Sequence, residues 1–283
     1  MNNKILVTGA SGNIGAPLVA NLKAANANFA VMRSKASNDE GFETVVADFN
    51  DPAALTRAFT GIDTLFLLLP LVENKLELAQ NAATAAKQAG VKHIVRSSGA
   101  GADAQSPFAL PKLQGQIDDL LKATGIPCTF LRPAGFMQNY TTYQTQAIKD
   151  GTIYMADGGQ AQSIVDTRDI ADVAIKVLQN PAAHAGRTYT LTGGESITGT
   201  QAAALISQAI AKPVQHVSVP TEAAIATMQQ WGMSAFSINI MDSLNKVISA
   251  GYASEVSPDV ENLLGRKPRT FAGFVGENVA AWK

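Results

Sequence analysis

Three glycines near the start of the sequence have the spacing and the setting of a phosphate-binding turn. They lie in the run from Thr8 to Gly15, which follows a short apolar segment and precedes a helical pattern. The first glycine permits a tight turn, the second lets backbone amides approach a diphosphate, and the third lets the helix pack closely on the strand. Amides and helix dipole at such a turn bind an anion. The residues predicted to contact a dinucleotide here are Gly9, Ala10, Ser11, Gly12, Asn13, Ile14 and Gly15.

The residue at the end of the second predicted strand indicates which dinucleotide is bound. An acidic side chain at this place hydrogen-bonds the ribose of NAD(H), but this sequence has Arg33, followed by Ser34 and Lys35. A guanidinium pairs with a 2′-phosphate. NADP(H) is therefore the preferred cofactor, and NAD(H) remains possible. The alternative interpretation of Arg33 is a solvated residue at a strand end.

Other candidate ligand contacts follow the third, fourth and fifth predicted strands. Asp48 fits a position beside an adenine, and it is equally suited to cap the turn over 50–58. Open α/β sheets bind ligands at the carboxyl ends of their strands. On that ground, further cofactor contacts are predicted at Leu68, Leu69, Pro70, Ser97 and Ser98.

Short apolar runs alternate with longer helical patterns through the first half of the chain, which predicts a parallel sheet with crossover helices. The predicted strands are 5–7, 29–32, 44–47, 63–69, 93–96 and 128–131. Asp51 before Pro52 predicts a helix start, and Gly90 a helix end. The fold class is therefore α/β, with a Rossmann-type, doubly wound parallel sheet.

The regular alternation weakens beyond Phe136, where segments such as 152–160 and 193–200 are rich in glycine, threonine and polar residues. We predict a Rossmann domain over 1–135, joined by about 163–180, and a smaller C-terminal α/β lobe that makes up most of 136–283. The helical stripe that follows Asp166 and Thr167 indicates that these residues cap a helix, and Asp169 is assigned to the same capping role.

Composition argues against several other classes of protein. Lys and Arg number 22 against 23 Asp and Glu, so the net charge of −1 gives no reason to expect nucleic acid or an anionic membrane as partner. The most apolar run, 65–71, is too short to span a bilayer, and cytoplasm is the expected location. The three histidines show no spacing that converges on a metal, so no metal site is predicted. The single cysteine, Cys128, is expected to be a small buried hydrophobe.

Several short motifs follow one another over nearly the whole chain: the glycine loop, Asp48 with Phe49, and the runs 90–94, 131–133, 136–139, 165–171 and 265–271. In this order they make the sequence resemble the NmrA-like family of atypical short-chain dehydrogenases/reductases. Within that family the layout is similar to bacterial NAD(P)H quinone oxidoreductases and triphenylmethane reductases. The resemblance implies that the C-terminal lobe binds substrate.

The resemblance also bears on catalysis. In the superfamily's usual site a tyrosine lies four residues before a lysine and donates a proton, but here Phe108 precedes Lys112 at that spacing. Gln114 occupies the place where many relatives carry a histidine, and it is no acid at neutral pH. Lys112 is the candidate catalytic residue and a candidate contact to the cofactor ribose. A first-turn surface lysine is the alternative.

Aromatic and amide side chains directly after the sixth strand are candidates for substrate contact. Phe136 should face the nicotinamide, and Asn139, Tyr140 and Tyr143 should begin the second lobe; aromatics at this spacing also fit a core. Trp231 belongs to a distal apolar cluster that suits a lid, a dimer contact or core. These features predict a small-molecule substrate and a monomer or homodimer.

These observations favour an NADPH-dependent oxidoreductase that passes hydride to a planar, electron-poor acceptor, quinone-like or dye-like, without flavin. An acceptor whose reduced anion is already stabilised tolerates the absent tyrosine. The alternative is a non-catalytic NADP(H)-binding redox sensor of the NmrA type.

Overall fold

The structure, a computed structural model, describes residues 3–35 and 41–283. Its contacts divide the chain into two compact units. Unit 1 comprises the residues up to Ser106, Pro111–Arg132 and Ile170–Thr190, and unit 2 comprises Pro107–Leu110, Pro133–Asp169 and Leu191–Lys283. None of the helices in the described ranges has the length and apolarity that crossing a bilayer requires.

Strands and helices alternate along unit 1 and become less regular in unit 2. The described strands are β1 (Ile5–Val7), β2 (Phe29–Arg33), β3 (Glu43–Val46), β4 (Thr64–Leu67), β5 (His93–Ser97), β6 (Cys128–Pro133), β7 (Thr152–Met155), β8 (Ala161–Gln162), β9 (Thr188–Leu191), β10 (Ile197–Thr198) and β11 (Gln215–Ser218). The described α-helices are α1 (Gly15–Ala24), α2 (Pro52–Phe59), α3 (Lys75–Ala89), α4 (Ala109–Lys122), α5 (Thr145–Asp150), α6 (Thr167–Gln179), α7 (Gly199–Ile210), α8 (Thr221–Gln230), α9 (Ala235–Ser249), α10 (Asp259–Leu264) and α11 (Phe271–Glu277).

A seven-stranded sheet in the order β3-β2-β1-β4-β5-β6-β9 organises unit 1. The registered pairs from β3 to β6 are all parallel. This order reverses between β1 and β4, as in dinucleotide-binding folds. The predicted Rossmann-type, doubly wound sheet is therefore confirmed.

The predicted strand positions are right, but β4 is shorter than the expected 63–69. It ends at Leu67 because the next amide, that of Leu68, donates to the Thr8 side-chain oxygen at 2.8 Å and leaves the strand ladder. Conversely, β5 and β6 run on to Ser97 and Pro133. Leu68, Leu69 and Pro70 thus form a loop at the sheet edge.

Local capping explains where the helices of unit 1 begin and end. The Asp51 side chain accepts a hydrogen bond from the Ala54 amide at 2.9 Å and starts α2. Gly90 ends α3 in the left-handed region, with φ of 74°. The helices pack on an apolar core that includes Leu6, Leu65 and the buried Cys128.

Unit 2 is built from small sheets and helices around a core of its own. Strand β10 pairs with β8, and β11 pairs with β7. Helix α7 begins with a capping box, in which the side chains of Thr198 and Gln201 each accept from the other residue's backbone amide. The core of unit 2 includes Ile206, Phe271 and Trp282.

The two carboxylates beside α6 have different structural roles. Asp166 accepts from the Arg168 amide at 2.9 Å, as expected of a cap, and also forms an ion pair with the Arg168 guanidinium. Asp169 does not cap the helix, so that part of the prediction is wrong. It accepts from the Arg266 guanidinium at 2.7 Å, from the Arg269 amide at 2.7 Å and from the Arg269 guanidinium.

Candidate cofactor site

The glycine loop between β1 and α1 is held tightly by its own backbone. The Gly12 amide donates to the Gly9 carbonyl at 3.1 Å. Gly9 has φ of +66°, in the left-handed region that favours glycine. A Cβ on Gly15 would overlap the Gly9 carbonyl and lie 2.7 Å from the Ala10 Cα. The first and third glycines are thus required by the protein's own geometry.

Gly12 differs, because nothing in the described chain requires a glycine there. A Cβ on Gly12 would meet only the Gly9 carbonyl oxygen, at an ordinary distance of 3.5 Å. The backbone amides of Ser11, Asn13 and Ile14 donate no hydrogen bond to another described residue. Open amides at the start of a ten-residue helix fit an anion such as a diphosphate. This loop therefore fits the dinucleotide that the sequence predicts.

Thr8 ties this loop to the end of β4. Its hydroxyl accepts from the Leu68 amide at 2.8 Å and lies 3.1 Å from the Leu68 carbonyl oxygen. Leu69 is buried and Pro70 is exposed. The predicted contacts Leu68–Pro70 consequently lie at the same sheet edge as the glycine loop.

Arg33 is the last residue of β2, the strand next to β1. It is half-buried and its carbonyl accepts from the Ala47 amide at 3.0 Å. Its position at the carboxyl end of β2 is the one from which a guanidinium reaches a 2′-phosphate. Pairing with that phosphate remains a prediction.

Asp48 shapes the turn after β3 and does not cap α2. Its Oδ1 accepts from the backbone and side-chain amides of Asn50, at 2.8 and 2.9 Å. These hydrogen bonds lower the pKa of the exposed Asp48 carboxyl. Asp48 therefore holds the start of the predicted 50–58 turn at Asn50, while Asp51 caps the helix itself, and a place of Asp48 beside adenine stays a prediction.

A buried ionic network that the sequence interpretation missed lies at the ends of β5 and β6. Arg96 donates to the Ser98 hydroxyl at 3.0 Å, to the Gln114 carbonyl at 2.9 Å and side-chain oxygen at 2.6 Å, and to Asp118. Arg132 donates to the other Asp118 oxygen at 2.8 Å. Burial, and then Arg132, lower the pKa of Arg96 to about 9. Two guanidinium groups therefore share one carboxylate, which leaves excess positive charge here.

One signal in the sequence pointed to this network. Arg96 follows the apolar Ile94 and Val95 in a strand that is buried along its whole length, and a buried arginine needs a partner. The spacing alone did not identify Asp118. The network holds Ser98, and both Ser97 and Ser98 are buried at the end of β5.

A sequence profile of the NmrA-like family matches residues 1–275. The chain belongs to this family. It is 36% identical to an NAD(P)H azoreductase of Xenophilus azovorans, over 98% of this chain and 99% of that protein. It also superimposes on an Escherichia coli NADPH-dependent quinone oxidoreductase complexed with NADPH, with a TM-score of 0.88, 26% identity, and coverage of 96% of this chain and 99% of that one. Triphenylmethane reductase of Citrobacter sp., complexed with NADP(H), gives a TM-score of 0.86 and 26% identity over 98% of this chain and 99% of that one.

In this NmrA-like chain, the two candidate positions on α4 face different surroundings. The Lys112 side chain is exposed and makes no hydrogen bond with another described residue. Gln114 is buried and bound to Arg96. Phe108 lies just before the helix, with its ring 6.0 Å from that of Tyr252 within unit 2. Gln114 thus supports Arg96, while Lys112 remains a candidate for contact with a ligand.

The candidate substrate residues of this family member are all in unit 2, but they differ in exposure. Tyr140 is 6% exposed and packs edge-on against Phe271 at 4.9 Å, so it belongs to the core and not to an exposed lining. Tyr143 and Trp231 are 84% and 73% exposed. Phe136 and Asn139 are half-buried. The exposure of Trp231 excludes its interpretation as core.

Proposed function

We propose that this chain is a flavin-independent, NADPH-dependent oxidoreductase that transfers hydride to a planar, electron-poor organic acceptor, quinone-like or dye-like. The observation that carries the proposal is the open loop at Gly12, which follows β1. Three backbone amides of this loop donate no hydrogen bond within the described chain, and Arg33 ends the neighbouring strand β2. The names of the similar azo-, quinone and triphenylmethane reductases support the acceptor class. The same names favour the reductase over the redox sensor.

Each part of the sheet edge has a role in this proposal. The amides of Ser11, Asn13 and Ile14 hold the diphosphate, and Arg33 pairs with the 2′-phosphate, so NADP(H) is preferred. Asp48 lies beside the adenine, and Lys112 contacts the ribose. The remaining cofactor contacts are Leu68, Leu69, Pro70, Ser97, Ser98 and Phe136. Asn139, Tyr143 and Trp231 contact the substrate.

NADPH, when bound, supplies the hydride. The chain's own contribution is orientation of the cofactor and exclusion of water from it. A simple ketone would form a localised alkoxide that needs a positioned donor. A quinone spreads the accepted electrons over a conjugated ring, so its proton donor need not stand where the usual tyrosine would, and a cationic dye becomes neutral without a proton. Both acceptors fit a chain with phenylalanine at position 108. We place the activity on small molecules in the cytoplasm.

Oxidation of NADPH, followed at 340 nm with a panel of quinones and cationic dyes, tests this function. We expect saturable reduction of at least one acceptor by purified protein without added flavin. If the protein binds NADPH with a measurable Kd and reduces none of these acceptors, the reductase proposal is wrong and the redox sensor is favoured.

Replacing Arg33 with serine tests the cofactor preference separately. Loss of a charge-assisted pair costs about 1.5–3 kcal/mol, so we expect the Kd for NADPH to rise roughly 10- to 100-fold. The Kd for NADH should stay within about threefold, because NADH has no 2′-phosphate. Equal weakening of both cofactors, measured by fluorescence titration, would contradict the role given to Arg33.

A further inference from the structure

Lys75 occupies a buried position on a helix face that otherwise belongs to the core. It is the first residue of α3, on the same stripe as Leu78, Ala79 and Ala82, and is 5% exposed. A helix stripe at this spacing normally carries apolar residues. The Lys75 Nζ makes no hydrogen bond with a described residue and is not fully buried. The small exposed area of this side chain therefore includes its ammonium group.

The surroundings of this ammonium oppose its charge. Its side chain makes no hydrogen bond or ion pair with a described residue, and Glu73 and Glu77, its nearest acidic neighbours in sequence, are exposed. The helix start and the Arg96 guanidinium both disfavour a cation there. Burial, and then Arg96, lower the pKa of Lys75 to about 8. A proton held this weakly is available for transfer near neutral pH.

Lys75 begins the helix that follows β4, on the side of the sheet where the proposed function puts the second mononucleotide. It follows β4, and β4 pairs with β5, whose last residues are Arg96 and Ser97. In dinucleotide-binding sheets of this strand order, the two halves of the cofactor lie on opposite sides of the β1–β4 boundary. With the adenosine end assigned to Arg33 on β2, the nicotinamide end falls on the side of β4 and β5.

The neighbouring cations in unit 1 are already engaged. Arg96 is bound to Ser98, Gln114 and Asp118, and Arg132 is bound to Asp118. Both guanidinium groups also keep their protons near neutral pH, because even the lowered pKa of Arg96, about 9, lies above that range. Among the described buried cations beside β4 and β5, Lys75 is the one whose side-chain N–H groups make no hydrogen bond to another described residue.

Building on the function proposed above, we propose that Lys75 is the proton donor for acceptors that become anions when they accept hydride. Hydride transfer to a quinone places a pair of electrons on its oxygen. The N–H bond of Lys75 breaks, an O–H bond forms, and the neutral amine regains a proton from water. The sum is quinone, NADPH and one proton giving hydroquinone and NADP⁺.

A cationic triarylmethane dye provides a matched acceptor that needs no proton. Hydride adds to its central carbon and cancels the positive charge, so the product is neutral without further transfer. An anion-forming quinone therefore depends on Lys75, whereas the dye does not.

The experiment compares Lys75→Met with Lys87→Met, a neutralised exposed lysine in the last turn of the same helix. General acids contribute roughly 10²- to 10⁴-fold, so Lys75→Met should slow single-turnover quinone reduction by about 10²-fold or more. Dye reduction by Lys75→Met and both reactions of Lys87→Met should stay near the wild-type rates. Preserved dye reduction also shows that the variant is folded.

Lys75→Arg separates proton donation from charge alone. Arginine keeps the positive charge but holds its proton, so it should not restore quinone reduction. Restoration by arginine, equal loss on both acceptors, or no loss on quinone would each overturn the assignment. If the wild-type protein reduces neither acceptor, it is the proposed function that fails.

Discussion

At the scale of single residues, the Asp118 carboxylate joins the two arginines of the ionic network in unit 1. It is buried between the guanidinium groups of Arg96 and Arg132. Removing one member of a buried ionic group leaves the remaining charge uncompensated, which costs far more than a surface ion pair is worth. Asp118 offsets two cations, so its charge matters more than its volume.

We therefore expect Asp118→Asn to lower the free energy of unfolding by about 3–5 kcal/mol. The adjacent Asp119→Asn is a matched control, because Asp119 forms an exposed ion pair with Lys122 at 2.9 Å. That change should cost about 0–1 kcal/mol. Urea titration at an unchanged m-value measures both. Similar small losses in the two variants would show that Asp118 does not carry the network.

Residue types predicted some local roles and not others. Asp51 and Gly90 were predictable because a cap and a left-handed helix end depend only on near neighbours. The roles of Asp118 and Lys75 were not, because both depend on residues brought together by the sheet. Helical periodicity places an apolar residue at position 75, and the lysine there is informative only once its burial is known.

At the scale of elements, the glycine loop separates what folding requires from what a ligand requires. Gly15 is fixed by the Gly9 carbonyl, whereas Gly12 has room for a methyl group within the protein. Gly15 is thus required for packing of the helix on the loop, whereas in the proposed function a glycine at position 12 serves only to let a ligand approach the backbone. The sequence pattern predicts both glycines, but the distances distinguish them.

This distinction makes a paired prediction. Gly15→Ala should lower the free energy of unfolding by about 1–3 kcal/mol or more, since an added methyl is forced against backbone. Gly12→Ala should leave the unfolding midpoint unchanged and weaken NADPH binding at least about tenfold, through a steric clash with the diphosphate. Thermal unfolding and fluorescence titration measure the two effects. Wild-type affinity in Gly12→Ala would contradict the predicted position of the diphosphate.

The elements themselves were largely predictable, and the failures have physical causes. The strands of unit 1 are apolar runs between turn residues, so their order and positions followed from the sequence. The end of β4 did not, because Thr8 captures the Leu68 amide from another strand. For Tyr140 the sequence left substrate contact and core both open for a similar reason, since its partner Phe271 is 131 positions away in sequence and local spacing does not reveal it.

At the scale of the whole molecule, the chain passes repeatedly between the two units. Elements α4, β6, α6 and β9 each contribute residues to both. Asp169, at the start of α6, holds Arg266 and Arg269 from the far end of the sequence. Neither unit is one continuous segment. Because four helices or strands have residues in both units, unfolding of one unit removes residues from elements of the other. We expect the chain to unfold in a single cooperative transition.

Ligand binding tests this expectation because the predicted diphosphate and 2′-phosphate contacts are in unit 1, while both tryptophans, Trp231 and Trp282, are in unit 2. Trp282 is buried and donates to the Tyr140 carbonyl at 2.8 Å, so its emission reports the core of unit 2. NADP⁺ at 100 times its Kd should stabilise the protein by about 2.7 kcal/mol. The midpoint should then rise by roughly 4–5 °C for a chain of 283 residues that unfolds as one unit.

Under cooperative unfolding, the midpoint from tryptophan emission and that from far-ultraviolet circular dichroism should rise together, since unit 2 cannot melt while ligand holds unit 1. Gly12→Ala at the same NADP⁺ concentration is the control and should show a much smaller rise in either signal. A rise seen by circular dichroism alone would mean that unit 2 melts independently. That result would show that unfolding of one unit does not force unfolding of the other, although four elements, α4, β6, α6 and β9, have residues in both units.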